Sequence, residues 1–143
     1  MHMTTTISRR TLLAACAAAT LSISHPARAN SSRIKVSTLN ETGRIVTVEV
    51  PFNPARVAVI DAAVLDTLDH WNLTDRIVAM PQTTVIPYLA KYFKKSDAVI
   101  NIGTLKEVDM EALMASEPDI IFISGRLAKK YRELSRIAPV VYM

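Results

Sequence analysis

Arg126 is the residue whose type and place in this sequence most directly ask for a partner. It follows Gly125 at the end of the apolar run Asp119–Ser124 and precedes a segment with Leu127, Tyr131 and Leu134 at helical spacing. A cation at the start of a helix opposes the macrodipole by about 0.3–1 kcal/mol, so local stability gives no reason for it there. A guanidinium presents several donors in a fixed fork and suits an anion held in a cleft; the other reading is a solvated loop arginine. At comparable strand ends lie Asp61, the stretch Pro81–Thr84 with Gln82, and the stretch 103–106 with Thr104 and Lys106. Arg126, Gly125, Gln82, Thr104 and Lys106 are therefore the candidate ligand contacts.

Other chemistries lack their residues. The three glycines, Gly43, Gly103 and Gly125, are too far apart for a dinucleotide fingerprint or a phosphate-cradling loop. His2, His25, His70 and the sole cysteine, Cys16, show no metal-ligand spacing, so no metal and no cofactor is expected on the chain itself. Asp66 and His70 are four residues apart, but on the polar side of an amphipathic helix, where an acid–histidine pair is solvated and does no general-base work. Ser124 lacks the glycine two residues before it that a nucleophile elbow needs. No catalytic residue is expected, and Asp61, the one acid at a strand end, reads as a helix cap. Lys129, Lys130, Arg132 and Arg136, with Glu133 among them, form the exposed side of a helix without interleaved aromatics, which argues against nucleic acid.

The elements that must position these residues alternate. The 143 residues (15.8 kDa), with 50% hydrophobic and 21% charged residues, suffice for one domain with a real core. From Arg33 to Val50 the chain reads as a hairpin, with Val46, Val48 and Val50 on one face and a turn at 40–43. Beyond Pro54, short apolar runs read as buried strands at 56–60, 76–80, 98–102, 119–124 and 139–143. Between them come a helix capped by Asp61 with Val64, Leu65, Leu68 and Trp71 on its stripe, and one from Pro87 carrying Tyr88, Leu89, Tyr92 and Phe93. A short helix capped by Asp109 carries Met110, Leu113 and Met114, and the last is the segment with Leu127. Both tyrosines and Phe93 are expected in the core. The fold class is α/β, a mostly parallel sheet with helices on both faces. Ligands of such sheets sit beyond the carboxyl ends of the strands.

Residues 1–29 read as an export signal: Arg9-Arg10, an apolar run from Thr11 to Ile23, then Ala27-Arg28-Ala29, with cleavage expected after Ala29. The run is too short for a retained membrane anchor. Ser8-Arg9-Arg10-Thr11-Leu12-Leu13 resembles the twin-arginine signal, while Leu13-Ala14-Ala15-Cys16 resembles a lipobox, an alternative that would anchor a lipoprotein at Cys16. Removing the signal takes away three arginines and no acid, so the net charge falls from +4 to +1. A nearly neutral mature chain makes no global case for nucleic-acid binding.

Five stretches then carry a specific resemblance. Arg56-Val57-Ala58-Val59-Ile60-Asp61 with Leu65-Asp66-Thr67-Leu68, Asn101-Ile102-Gly103-Thr104-Leu105, Glu117-Pro118-Asp119-Ile120-Ile121-Phe122-Ile123-Ser124-Gly125-Arg126, and Ile137-Ala138-Pro139-Val140-Val141-Tyr142 occur in the order and spacing of the periplasmic ferric-siderophore-binding proteins. The chain is most similar to the subgroup taking catecholate, enterobactin-type siderophores. The resemblance implies a monomeric receptor that hands a ferric siderophore to an ABC permease, with iron present only inside the cargo. It also implies two α/β lobes joined by one long helix, of which residues 30–143 correspond to the N-terminal lobe, truncated before the linking helix. Glu111, in Val108-Asp109-Met110-Glu111-Ala112-Leu113, matches the family's acidic permease-docking position. Leu127 stands where the family usually has glutamine. Same-fold receptors for haem, cobalamin or hydroxamate siderophores, and a small exported α/β enzyme, remain the alternatives.

Overall fold

The computed structural model describes residues 32–82, 87–92 and 98–143. Strands β1 (Arg33–Leu39) and β2 (Ile45–Pro51) form an antiparallel hairpin that pairs Ile34 with Val50 and Val36 with Val48. Its turn is built by Asn40, whose Oδ1 accepts the amides of Thr42 (3.0 Å) and Arg44 (2.9 Å), and by Gly43 at φ +74°. Alternation sends Val36, Val48 and Val50 onto the core, while Lys35, Ser37, Thr47 and Glu49 face solvent.

The remaining strands, β3 (Val57–Val59), β4 (Ile77–Met80), β5 (Ile100–Asn101), β6 (Ile120–Ile123) and β7 (Val140–Tyr142), form one sheet in the order β5-β4-β3-β6-β7. Every neighbouring pair in it is parallel. Helix α1 (Ala62–His70) follows β3, α2 (Met110–Ala115) precedes β6, and α3 (Tyr131–Leu134) precedes β7. On one face Val57, Val59, Ile77 and Met80 pack with Val64 and Leu65 of α1, with Leu89 and with Val50 of the hairpin. On the other, Ala58, Ala79, Ile121, Ile123 and Val140 pack with Leu113, Leu127 and Leu134. Covering both faces is why the central strands read as continuous apolar runs.

Local signals set the helix starts. Asp61 caps α1, its Oδ1 accepting the amides of Ala63 (2.8 Å) and Val64 (3.2 Å). Asp109 caps α2 in the same way through Glu111 (3.0 Å) and Ala112 (2.9 Å). Such caps satisfy amides that have no partner within the helix and are worth about 1 kcal/mol each. At the far end of α2 the Arg56 guanidinium donates to the carbonyls of Ser116 (2.6 Å) and Glu117 (2.9 Å), which ties that helix to the start of β3.

Several apolar-face expectations fail for a common reason: the helical pieces are shorter or tighter than their sequence period implies. The segment Pro87–Tyr92 is a 3-10 helix, whose three-residue turn buries Leu89 and leaves Tyr88 66% exposed. Phe93 lies outside the described residues. Helix α1 stops at His70, so Trp71 is its cap, 63% exposed, and does not extend the stripe. Met114 is likewise 54% exposed, because the six-residue α2 reaches the sheet through Met110 and Leu113. After β6 the expected helix is a 3-10 segment, Gly125–Lys130, that runs into the single turn of α3. Leu127 and Leu134 are nevertheless buried as the spacing predicts.

Asp66 and His70 are exposed, but Asp69 beside them is engaged. Its carboxylate pairs with Lys91 Nζ at 2.8 Å and accepts the Tyr92 hydroxyl, which fastens the 3-10 helix to α1. The hydrogen bond from Lys91, followed by that from Tyr92, holds the Asp69 carboxyl below the usual carboxylate range.

Candidate functional site

The sheet order creates the site. From β3 the chain crosses through α1 to β4 on one side, whereas β6 continues to β7 on the other, so the neighbours β3 and β6 diverge at their carboxyl ends. Divergence of this kind leaves a crevice above the sheet. It is present as a cleft of about 490 Å³ lined by Asp61, Ala62, Leu105, Ser124, Gly125 and Arg126. Asp61 and Ala62 come from the end of β3, and 124–126 from the end of β6.

Leu105 is brought in by a tight loop after β5. Gly103 has φ +94° and bridges Val108 in antiparallel fashion. Within the loop, the Thr104 amide donates to the Glu107 carbonyl (2.8 Å), and Thr104 Oγ1 accepts the amides of Lys106 (3.1 Å) and Glu107 (2.9 Å). The loop is a rigid wall, and its one inward group is apolar.

The cleft wall carries one acid and one base, Asp61 and Arg126. Asp61 is turned to its own helix, its Oδ1 accepting the first amides of α1. Arg126 is exposed, and among the described residues its guanidinium makes no ion pair or hydrogen bond. Of the basic residues downstream, Lys130 pairs with Glu133 and Arg132 with Glu41, at 2.8 and 2.9 Å, whereas Lys129 and Arg136 do not line the cleft. A free fork of donors beside an engaged carboxylate is suited to an anionic ligand. Among the described residues, no group of three or more His, Cys, Asp and Glu could hold a metal ion, and no helix is long and apolar enough to cross a membrane.

Of the candidate contacts, Gly125 and Arg126 stand on the cleft wall. Thr104 and Lys106 flank Leu105, but the Thr104 hydroxyl serves its own turn, and Lys106 points to solvent. Gln82 is not on the wall. Its amide donates to Asn101 Oδ1 (3.2 Å) and its Nε2 to the Val99 carbonyl (3.2 Å), so it stitches β4 to the neighbouring strand. Glu111 is exposed in the first turn of α2. The sequence reading passes over Ala62 and Ser124 as contacts, and reaches Leu105 only within the stretch 103–106. Their only signal is position after a strand, and an alanine or leucine there carries no polar mark.

Residues 57–143 match the periplasmic binding protein family. The petrobactin-binding protein YclQ of Bacillus subtilis (strain 168) is 40% identical over 95 residues, which is 66% of this chain and 29% of that protein. The crystal structure of YclQ superposes with a TM-score of 0.65 at 35% identity, covering 76% of this chain and 37% of that one. The siderophore-binding protein BauB, solved with two molecules of acinetobactin and ferric iron, gives 0.67 at 32% identity, covering 78% and 36%. The catecholate-siderophore-binding protein VctP of Vibrio cholerae gives 0.59 at 33%, covering 76% and 37%. The chain thus spans about a third of the length of these relatives. With a family match over most of its length, and a parallel sheet opening at the strand ends, this chain belongs to the periplasmic binding protein family.

Proposed function

We propose that this chain is the N-terminal lobe of a receptor that captures an anionic ferric siderophore, of the catecholate type, and delivers it to an ABC importer for iron uptake. The observation that carries this reading is the unpartnered Arg126 on the wall of a cleft whose carboxylate is already engaged. A ferric tris-catecholate satisfies its iron completely and carries three negative charges. It therefore needs cations and apolar surface from a protein, not metal ligands, and the Arg126–Leu105 pairing of wall residues offers both kinds. The protein acts as a monomer, by binding and hand-over, without turnover.

Titration of the purified protein with a hexadentate ferric tris-catecholate tests this directly. Saturable binding that weakens with added salt is expected, with an uncharged ferric tris-hydroxamate binding at least about tenfold more weakly, because only the charged complex gains from the guanidinium. Preference for the hydroxamate overturns the ligand class.

Delivery requires export and docking. Residues 1–29, outside the described residues, act in this reading as a twin-arginine signal. Changing Arg9 and Arg10 to lysine is expected to leave the precursor in the cytoplasm, and the exported protein to begin at Asn30. A lipid on Cys16, found by mass spectrometry, would replace this with an anchored lipoprotein. Glu111 is assigned to permease docking: as an exposed acid in the first turn of α2 its charge is favoured where it stands. Glu111→Ala should spare siderophore binding and slow uptake at low salt, because encounter depends on charge complementarity. Uptake equal to wild type removes that role.

A further inference from the structure

Two opposite charges stand on the wall of the cleft without neutralising each other. The β3–β6 register brings them there: Val59 lies opposite Phe122, so the two chains leave the sheet side by side at Asp61 and Ser124, and Arg126 follows shortly after. Among the described residues, neither Asp61 nor Arg126 belongs to an ion pair. A ligand in the cleft therefore meets an acid from the β3 side and a base from the β6 side, with Leu105 as apolar wall.

Capping uses only part of Asp61. Its Oδ1 accepts both helix amides, from Ala63 at 2.8 Å and from Val64 at 3.2 Å, and among the described residues Oδ2 accepts no hydrogen bond. A cap needs a side-chain oxygen and not a charge, since asparagine and serine serve about as well as aspartate. Asp61 is half-buried on the cleft wall, which leaves its second oxygen for a donor from outside the chain. A purely anionic ligand drawn to Arg126 is repelled by this acid, whereas a ligand that also carries a cation gains on both sides.

We infer that Asp61 is a specificity residue of the cleft: its Oδ2 accepts a hydrogen bond from a protonated amine of the ligand, while the Arg126 guanidinium holds the ligand's anionic oxygens. The ligand class is then narrower than ferric tris-catecholates in general. Its members join their catecholate arms through a backbone that bears a secondary ammonium group. An ammonium offers donors and no acceptor, which suits a carboxylate oxygen, and charge-assisted bonds of this kind are about twice as strong as neutral ones. The same group offsets part of the negative charge that the acid would otherwise repel. This role of Asp61 rests on the ferric-siderophore reading above.

Two hexadentate ferric tris-catecholates that differ at a single backbone atom test it, one with a secondary amine and the other with an ether oxygen in its place. The wild-type protein is expected to bind the amine complex about tenfold more tightly at neutral pH, the gain for a hydrogen bond to a charged group. Asp61→Asn keeps a capping oxygen and removes the charge, so its thermal midpoint should match wild type while it binds the two complexes equally. Equal affinity of the wild-type protein for both complexes, or a preference that persists in Asp61→Asn, overturns the role of Asp61 and leaves the siderophore reading standing. Failure of the wild-type protein to bind either complex overturns both.

Discussion

Alanine in place of Gly103 is expected to lower the stability of the protein by about 3–5 kcal/mol, read as a lower urea midpoint at unchanged slope. Two costs combine. The backbone sits at φ +94°, a region where a side chain strains the chain by about 1–3 kcal/mol. A Cβ would also lie 2.6 Å from the Glu107 carbonyl oxygen and 3.4 Å from the Asp109 amide nitrogen, and both are main-chain atoms. Neither can rotate away. Moving the first breaks the Thr104–Glu107 hydrogen bond of 2.8 Å, and moving the second disturbs the Asp109 amide's bond to Ile102 (3.0 Å) at the cap of α2. Overpacking against rigid neighbours of this kind costs a further 1–3 kcal/mol or so. Against a total stability of about 5–15 kcal/mol the variant loses a large share, and its thermal midpoint should fall by about 10 °C or more. A midpoint within about 2 °C of wild type would show that the loop opens freely and is no rigid wall for Leu105.

Arg126→Ala is expected to weaken binding of a hexadentate ferric tris-catecholate by about 10- to 150-fold, corresponding to about 1.5–3 kcal/mol for hydrogen bonds to a charged group. Its fold stability should stay within about 0.5 kcal/mol of wild type, since an exposed side chain without a protein partner leaves nothing behind when it is removed. Arg126→Lys should recover only part of the affinity, because an ammonium keeps the charge and loses the fork. Calorimetric titration at two salt concentrations checks the two affinities, and a urea melt of Arg126→Ala checks the stability. Affinities equal within error would return Arg126 to the status of a solvated loop residue.

How much of this was readable without coordinates depends on how far apart the deciding atoms lie. The Asp61 and Asp109 caps, the 40–43 turn and the apolar strands at 57–59, 77–80 and 120–123 are decided by neighbours within a few residues. Composition and period report those interactions directly. Arg126 belongs with them, because a cation after a strand end is anomalous in its own local setting.

Tertiary structure decided which polar groups are already spent. Gln82 and Thr104 have the right types at the right strand ends, yet one is consumed by the Val99 carbonyl and the other by the amides of its own loop. Residue type states how many hydrogen bonds a side chain can make, and only the packed chain determines whether they are taken. It also decided that Trp71, Tyr88 and Met114 face solvent, because the real helices end or tighten before the ideal period carries those side chains inward. Tyr142 is the extreme case: its partner Thr38 is 104 residues away, and its hydroxyl meets Gly125 only because β6 and β7 pair in one register. The amino-acid sequence by itself determined the alternating elements, their caps and an arginine waiting at a strand end, all products of short-range physics. The cleft, with Asp61 and Arg126 on its wall, arises from strands β3 and β6 lying side by side, a long-range pairing that no local pattern encodes.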